Sequence, residues 1–161
     1  LGGILEEGKE RIFLTSTTHG AEMSALGAFI KTVEILKRDQ VINHFWEYGR
    51  KLMDGINQIS NELSISDQFY VGGYPCSPIY MTKNLKGDIS LDFRTLFSQE
   101  LIKNGVLMPY IALSQSHGEE ELEITLNAVG ESLIVYHKAL NEGVDKYLQG
   151  ASIKPVFRKI N

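Results

Sequence analysis

Between positions 122 and 140 the apolar residues Leu122, Leu126, Val129, Leu133, Tyr136 and Leu140 recur at alternating steps of four and three. That spacing sets all six on one side of an α-helix, and the two-residue period of a strand cannot reproduce it. A seam of that length must be covered by other parts of the chain, so the sequence demands a packed core. Ser116 and Glu119 stand at the S-x-x-E spacing of a capping box and predict where this helix begins. A second stripe, Val41, Phe45, Tyr48, Leu52, Ile56, Ile59 and Leu63, predicts a long helix over about residues 40–63, with Asp39 as its N-cap.

The remaining segments arrange themselves around these two helices. A helical pattern over about residues 21–37 carries Leu26, Phe29, Ile30, Val33 and Leu36 on one side. Its opening turns are crowded with small residues, among them Gly27, which costs about 1 kcal/mol against alanine and so implies a close neighbour. Residues 68–71 and 79–82 read as strands, with the glycine- and proline-containing stretch 72–78 as a turn or loop between them. A helix over about residues 91–103 is closed by Asn104-Gly105, a pair suited to a left-handed C-cap. The apolar runs 106–108 and 111–113 flank Pro109, which cannot donate a ladder hydrogen bond and should mark a strand end, an edge or a bulge. Two helices followed by strand, strand, helix, strand and helix predict an α+β domain joined to a helical extension.

Composition narrows the function classes. The chain has 161 residues, enough to bury a core without disulfide or metal support. Its formal net charge is −4, which removes the basic face that nucleic acid or an anionic membrane would require. No apolar run has the length of a membrane span. The one cysteine, Cys76, permits no internal disulfide and has no basic or histidine neighbour in sequence to activate it. A cytoplasmic setting is expected. The first residue is Leu1, from which a longer gene product is expected.

Ser16, Thr17, Thr18, His19 and Gly20 form the most informative local feature. Consecutive hydroxyls at a helix start can donate to an anion beside free backbone N–H groups and the positive end of the helix dipole. Plain N-capping is the simpler reading of the same residues. Lys9 lies among Glu6, Glu7, Glu10 and Arg11, where carboxylate neighbours favour the charged, non-nucleophilic form. His19, His44, His117 and His137 have no metal-ligand spacing, and His117 is expected to be exposed. Glu119, Glu120 and Glu121 suit the first turn of a helix rather than an acid/base pair. Met108, Tyr110 and Tyr136 read as core, and Arg94 and Arg158 as surface or structural arginines.

The string Phe13-Leu14-Thr15-Ser16-Thr17-Thr18-His19-Gly20-Ala21-Glu22 and the small-residue helix after it resemble the class III aminotransferases, most of all the glutamate-1-semialdehyde 2,1-aminomutases. Residues 104–109 and 114–141 are similar to that family's strand entry and closing helix, so the likeness covers most of the chain. The family's usual Asn-Pro after the pentad glycine is Ala21-Glu22 here, and no G-K-x-x-x-x-G string of the lysine segment occurs. The resemblance implies the C-terminal small α+β domain of a fold-type I pyridoxal-phosphate enzyme, preceded by helices from the end of the large domain. It divides the chain into residues 1–38 of the large domain, a linking helix 39–66, the small domain 67–149 and a tail 150–161. It further implies that Thr17, flanked by Ser16 and Thr18, reaches the pyridoxal 5'-phosphate of a homodimer partner, while the catalytic lysine lies outside this sequence. The substrate would be a small amino-acid or amino-sugar-type amino donor or acceptor, with no nucleic acid, membrane or metal involved. The competing reading is a non-catalytic α+β binding or dimerisation module.

Overall fold

The computed structural model describes residues Glu22–Lys154, and the chain divides into two compact units, Leu1–Val41 and Ile42–Asn161. In the first unit the described structure is helix α1, Met23–Arg38. None of its residues is buried, and Leu26, Phe29 and Ile30 lie bare along its apolar side. A Cβ on Gly27 would meet open space, so the close neighbour expected there is not found among the described residues. Asp39 is not the N-cap of the following helix. It closes α1, and its carboxylate is taken by the Arg38 guanidinium, 2.6 Å away.

The second unit is a small α+β domain of helices and one short antiparallel hairpin. Its elements are α2, Val41–Glu62; β1, Phe69–Tyr74; β2, Ser77–Thr82; α3, Leu91–Lys103; α4, Glu119–Glu142; and a closing 3-10 turn, Val144–Lys146. The hairpin register runs from Phe69 opposite Thr82 to Tyr74 opposite Ser77. Glycines at 72 and 73 do not end the strand, as the sequence suggested. They continue the ladder, and only Pro75 and Cys76 are left for the turn.

Both long seams enter one core. Tyr48, Leu52 and Ile56 of α2 meet Val129, Leu133 and Tyr136 of α4 around Phe69, Leu96, Phe97 and Leu101. A two-stranded sheet has two free edges, and α2 closes one of them with side chains. Asn57 Nδ2 donates to the Val71 carbonyl at 2.9 Å, while its Oδ1 accepts the Val71 N–H at 2.8 Å. Three residues on, the Ser60 hydroxyl donates to the Phe69 carbonyl at 2.5 Å. The edge backbone is therefore paired inside the unit rather than left to recruit another strand.

Gly105 follows the end of α3 with φ of 81°, and the Val106 N–H reaches the Leu101 carbonyl at 2.9 Å. The Asn104-Gly105 terminator thus forms as expected, in the six-to-one hydrogen bond of a glycine-closed helix end. The strand anticipated around Pro109 does not form. Segment 106–118 is irregular, because its carbonyls are bound by side chains instead of a ladder: the Tyr80 hydroxyl donates to Pro109 O at 2.8 Å and Arg94 Nη2 to the same oxygen at 2.9 Å. The capping pair is also displaced. Helix α4 starts after Gly118, whose N–H donates to Glu121 Oε2 at 2.7 Å, two residues beyond the Ser116–Glu119 pair expected from spacing. Tyr110, expected in the core, is exposed, whereas Met108 and Tyr136 are buried.

Tyr136 ties the far end of the hairpin to α4. Its hydroxyl lies 2.7 Å from the Lys83 carbonyl and 3.2 Å from the Gln68 carbonyl, and accepts the Lys83 N–H at 3.0 Å. Burial drives the Tyr136 phenol far above its usual pKa, against a smaller opposing pull from the hydrogen bond to Lys83. An unfolded phenol ionises near pH 10 and the folded one only later. The stability that this shift represents is whole below about pH 10 and is lost as pH rises beyond it. Tyr136→Phe should cost about 1–2 kcal/mol at neutral pH, because a buried carbonyl loses its donor. It should also flatten the alkaline fall in melting temperature, and equal alkaline slopes in the two proteins would contradict the assignment.

Candidate functional site

Ser16, Thr17, Thr18 and His19 lie outside the described residues, as do Lys9 and Arg158. The local feature singled out in the sequence therefore has no described geometry. Of the other candidates, Arg94 is committed to structure: it binds Pro109 O and its guanidinium lies 4.8 Å from the centre of the Tyr80 ring. Cys76 is half-buried and forms no disulfide. Among the described residues no group of three or more His, Cys, Asp or Glu gathers as a metal site, and no helix is long and apolar enough to cross a membrane.

The described residues with convergent polar groups lie in a cleft of about 280 Å³ between α2, segment 106–113 and the first turns of α4. Its apolar lining includes Leu52, Val106, Met108, Ile111, Leu113 and Ile124, and its lining residues with polar side chains include Tyr48, His117, Glu121 and Thr125. Tyr48 arrives as one position of the α2 seam, where it belongs to the core and also lines the cleft. Glu121 arrives through its cap on the start of α4.

Two histidines build the loop at the cleft's mouth. His44 Nε2 donates to the Ser114 carbonyl at 3.2 Å, and His117 Nδ1 accepts the Ser114 N–H at 3.3 Å. Each bond names the nitrogen that carries or lacks a proton, so neutral His117 holds its proton on Nε2. The Tyr48 ring sits between the two imidazoles, with centroids 5.7 Å from His44 and 5.6 Å from His117. His117 is thus half-buried and load-sharing in the loop, not the exposed residue expected from its place in the sequence.

The charge in this cleft is acidic. The backbone N–H of Gly118 holds the Glu121 carboxyl below the usual carboxylate range, with a smaller contribution from His117. Burial raises the Tyr48 phenol, and the Glu121 and Glu119 carboxylates raise it further. Glu119 is itself paired with Lys51 across the exposed surface. The lining contains no lysine or arginine. A phosphate would meet a carboxylate here without a cation to offset it, so this cleft does not fit the phosphate of pyridoxal phosphate. Sequence reasoning passed over Tyr48, since a tyrosine at a seam position carries no mark that it will also line a cleft.

No family model matches the chain, and no solved structure matches it significantly. A curated protein does: 3-aminobutyryl-CoA aminotransferase of Cloacimonas acidaminovorans (strain Evry) is 30% identical over 134 residues, which is 81% of this chain and 32% of that protein. The chain therefore spans 32% of the length of the relative it matches. The relationship is a weak homology to a class III, pyridoxal-phosphate-dependent aminotransferase family member, and it does not single out glutamate-1-semialdehyde aminomutase.

Proposed function

We propose that this chain is part of a class III, pyridoxal-phosphate-dependent aminotransferase that moves an amino group between small molecules. The observation that carries this reading is the 30% identity over 134 residues, an alignment that takes in most of the chain. The hydroxyls of Ser16, Thr17 and Thr18 in the pentad Ser16 to Gly20 support it, because consecutive hydroxyl donors suit an anionic group. Amino-group transfer between molecules is preferred to the 2,1-aminomutase reaction, since the matching relative is an aminotransferase. On this reading residues 67–149 are the small C-terminal domain of a fold-type I enzyme, and the enzyme works as a cytoplasmic homodimer.

Pyridoxal phosphate, when bound, supplies the electron sink for the chemistry. What this chain's residues would do is narrower. Thr17, with Ser16 and Thr18 beside it, donates hydroxyl hydrogen bonds to the phosphate held by the partner subunit. The lysine that bonds the cofactor is assigned to a segment outside this sequence, because no G-K-x-x-x-x-G string of the family's lysine segment occurs here and Lys9 has carboxylate neighbours in sequence that favour its non-nucleophilic form.

In the enzyme that carries this chain, Thr17→Val is expected to weaken cofactor retention by about 1–3 kcal/mol, the scale of one charge-assisted hydrogen bond. Dialysis followed by cofactor release measures it. The 161-residue chain alone should transfer no amino group from glutamate-1-semialdehyde or 3-aminobutyryl thioesters. Turnover by the chain alone, or unchanged retention in Thr17→Val, would refute the assignment of roles. The non-catalytic module gains ground only if the longer protein also lacks cofactor and activity.

A further inference from the structure

Ser114 is held at both ends of its backbone by histidines on different elements. His44 Nε2, on α2, donates to its carbonyl at 3.2 Å, and its N–H donates to His117 Nδ1 at 3.3 Å. The two bonds answer a proton differently. His44 Nε2 must carry hydrogen to reach a carbonyl, so a second proton on that ring, at Nδ1, leaves the bond intact. His117 Nδ1 accepts, and an imidazolium has only donors, so a proton there removes the acceptor. Imidazole is the side chain that changes charge between about pH 5 and 8.

We propose that His117 is a pH-sensitive latch on the loop 114–118. Neutral, it holds the Ser114 N–H and keeps the loop closed at the mouth of the cleft; protonated, it lets that N–H go and the loop opens. The groups around His117 come from three sides: Tyr48, His44 and Lys51 from α2, Glu119 and Glu121 from α4, and Tyr110 from the segment that lines the cleft. Glu121 gives the charged ring a new partner. The Gly118 N–H holds that carboxyl below the usual range, so it is ionised when the imidazole takes its proton. Glu119 is already paired with Lys51. A charged His44 would oppose the proton on His117, but the Tyr48 ring lies between them, with centroids 5.7 Å and 5.6 Å from the two imidazoles. The released end is the one that matters for the cleft, because the loop joins the lining segment 106–113 to the first turn of α4. The inference rests on the Ile42–Asn161 unit alone and stands or falls apart from the aminotransferase reading.

The test is NMR of the labelled full chain from about pH 8 to about pH 5, following the His117 ring signals and backbone amide exchange together. Once intrinsic exchange is divided out, protection of the Ser114 amide should fall about tenfold as the His117 ring titrates, the scale of one lost neutral hydrogen bond. The Gly118 amide, bound to Glu121 Oε2 at 2.7 Å, should keep its protection over the same range. His117→Asn sets Oδ1 one bond beyond Cγ, where Nδ1 stands in histidine, and that oxygen accepts without titrating. Ser114 should then stay protected at every pH. His117→Ala should leave Ser114 unprotected at every pH. A Ser114 amide that does not change while the ring titrates would overturn the proposal. So would an equal acid loss in the His117→Asn protein, protection retained in His117→Ala, or a loss shared with Gly118, which would mean that the start of α4 unravels as a whole.

Discussion

Phe69→Ala is expected to destabilise the Ile42–Asn161 unit by about 3–5 kcal/mol, the range found for truncating a fully buried aromatic. Phe69 is 0% exposed and lies where both seams meet the hairpin. Its ring is 4.6 Å from Phe97, 5.7 Å from Tyr136 and 6.2 Å from Tyr80, centroid to centroid. Three neighbours on three elements cannot all collapse into the space it leaves, so most of the cavity cost persists. Since a domain of this size holds about 5–15 kcal/mol in all, the variant should be partly unfolded at physiological temperature. Urea denaturation would show the loss as a lowered midpoint with an unchanged slope. A loss below about 1 kcal/mol would mean that Phe69 is not the centre of this core.

Gly49→Ala is the second large effect, and its sign runs against helix propensity. An added methyl in the middle of α2 should gain about 1 kcal/mol over glycine. At this position its Cβ would stand 1.8 Å from the Pro75 carbonyl oxygen and 2.7 Å from the carbonyl carbon. Both are backbone atoms of the hairpin turn, which can yield only if the turn lifts away from the helix. The expected net loss is about 2 kcal/mol or more, since overpacking against a rigid neighbour outweighs the propensity gain. Gly55 in the same helix is the control. There a Cβ would meet the tip of Leu126 at 2.8 Å, a flexible side chain able to turn aside, and Gly55→Ala should be close to neutral. If both variants were equally stable, α2 would not be pressed against the turn as described.

The candidate site was legible only in pieces. Glu121 stood in the sequence as one of three first-turn carboxylates, and Tyr48 as a seam residue. Nothing in their spacing, 73 positions apart by number, brought them to one cleft. The hydroxyl pentad was the reverse case. Its local pattern pointed to an anion, but it lies outside the described residues, and the reading of it rests on chemistry and on homology to an aminotransferase.

By itself the sequence determined both long seams, the helix at 91–103 and its glycine stop, because each depends on neighbours three or four positions away or on one residue's backbone freedom. Only the tertiary structure decided the rest. Asn57 and Ser60 became the partners of a strand edge, segment 106–118 gave up its strand to the side chains of Tyr80 and Arg94, and the start of α4 moved from Ser116 to Gly118. In each of these cases a backbone group had several nearby ways to be satisfied. The choice fell to a side chain many positions away, and periodicity carries no record of a partner at that distance.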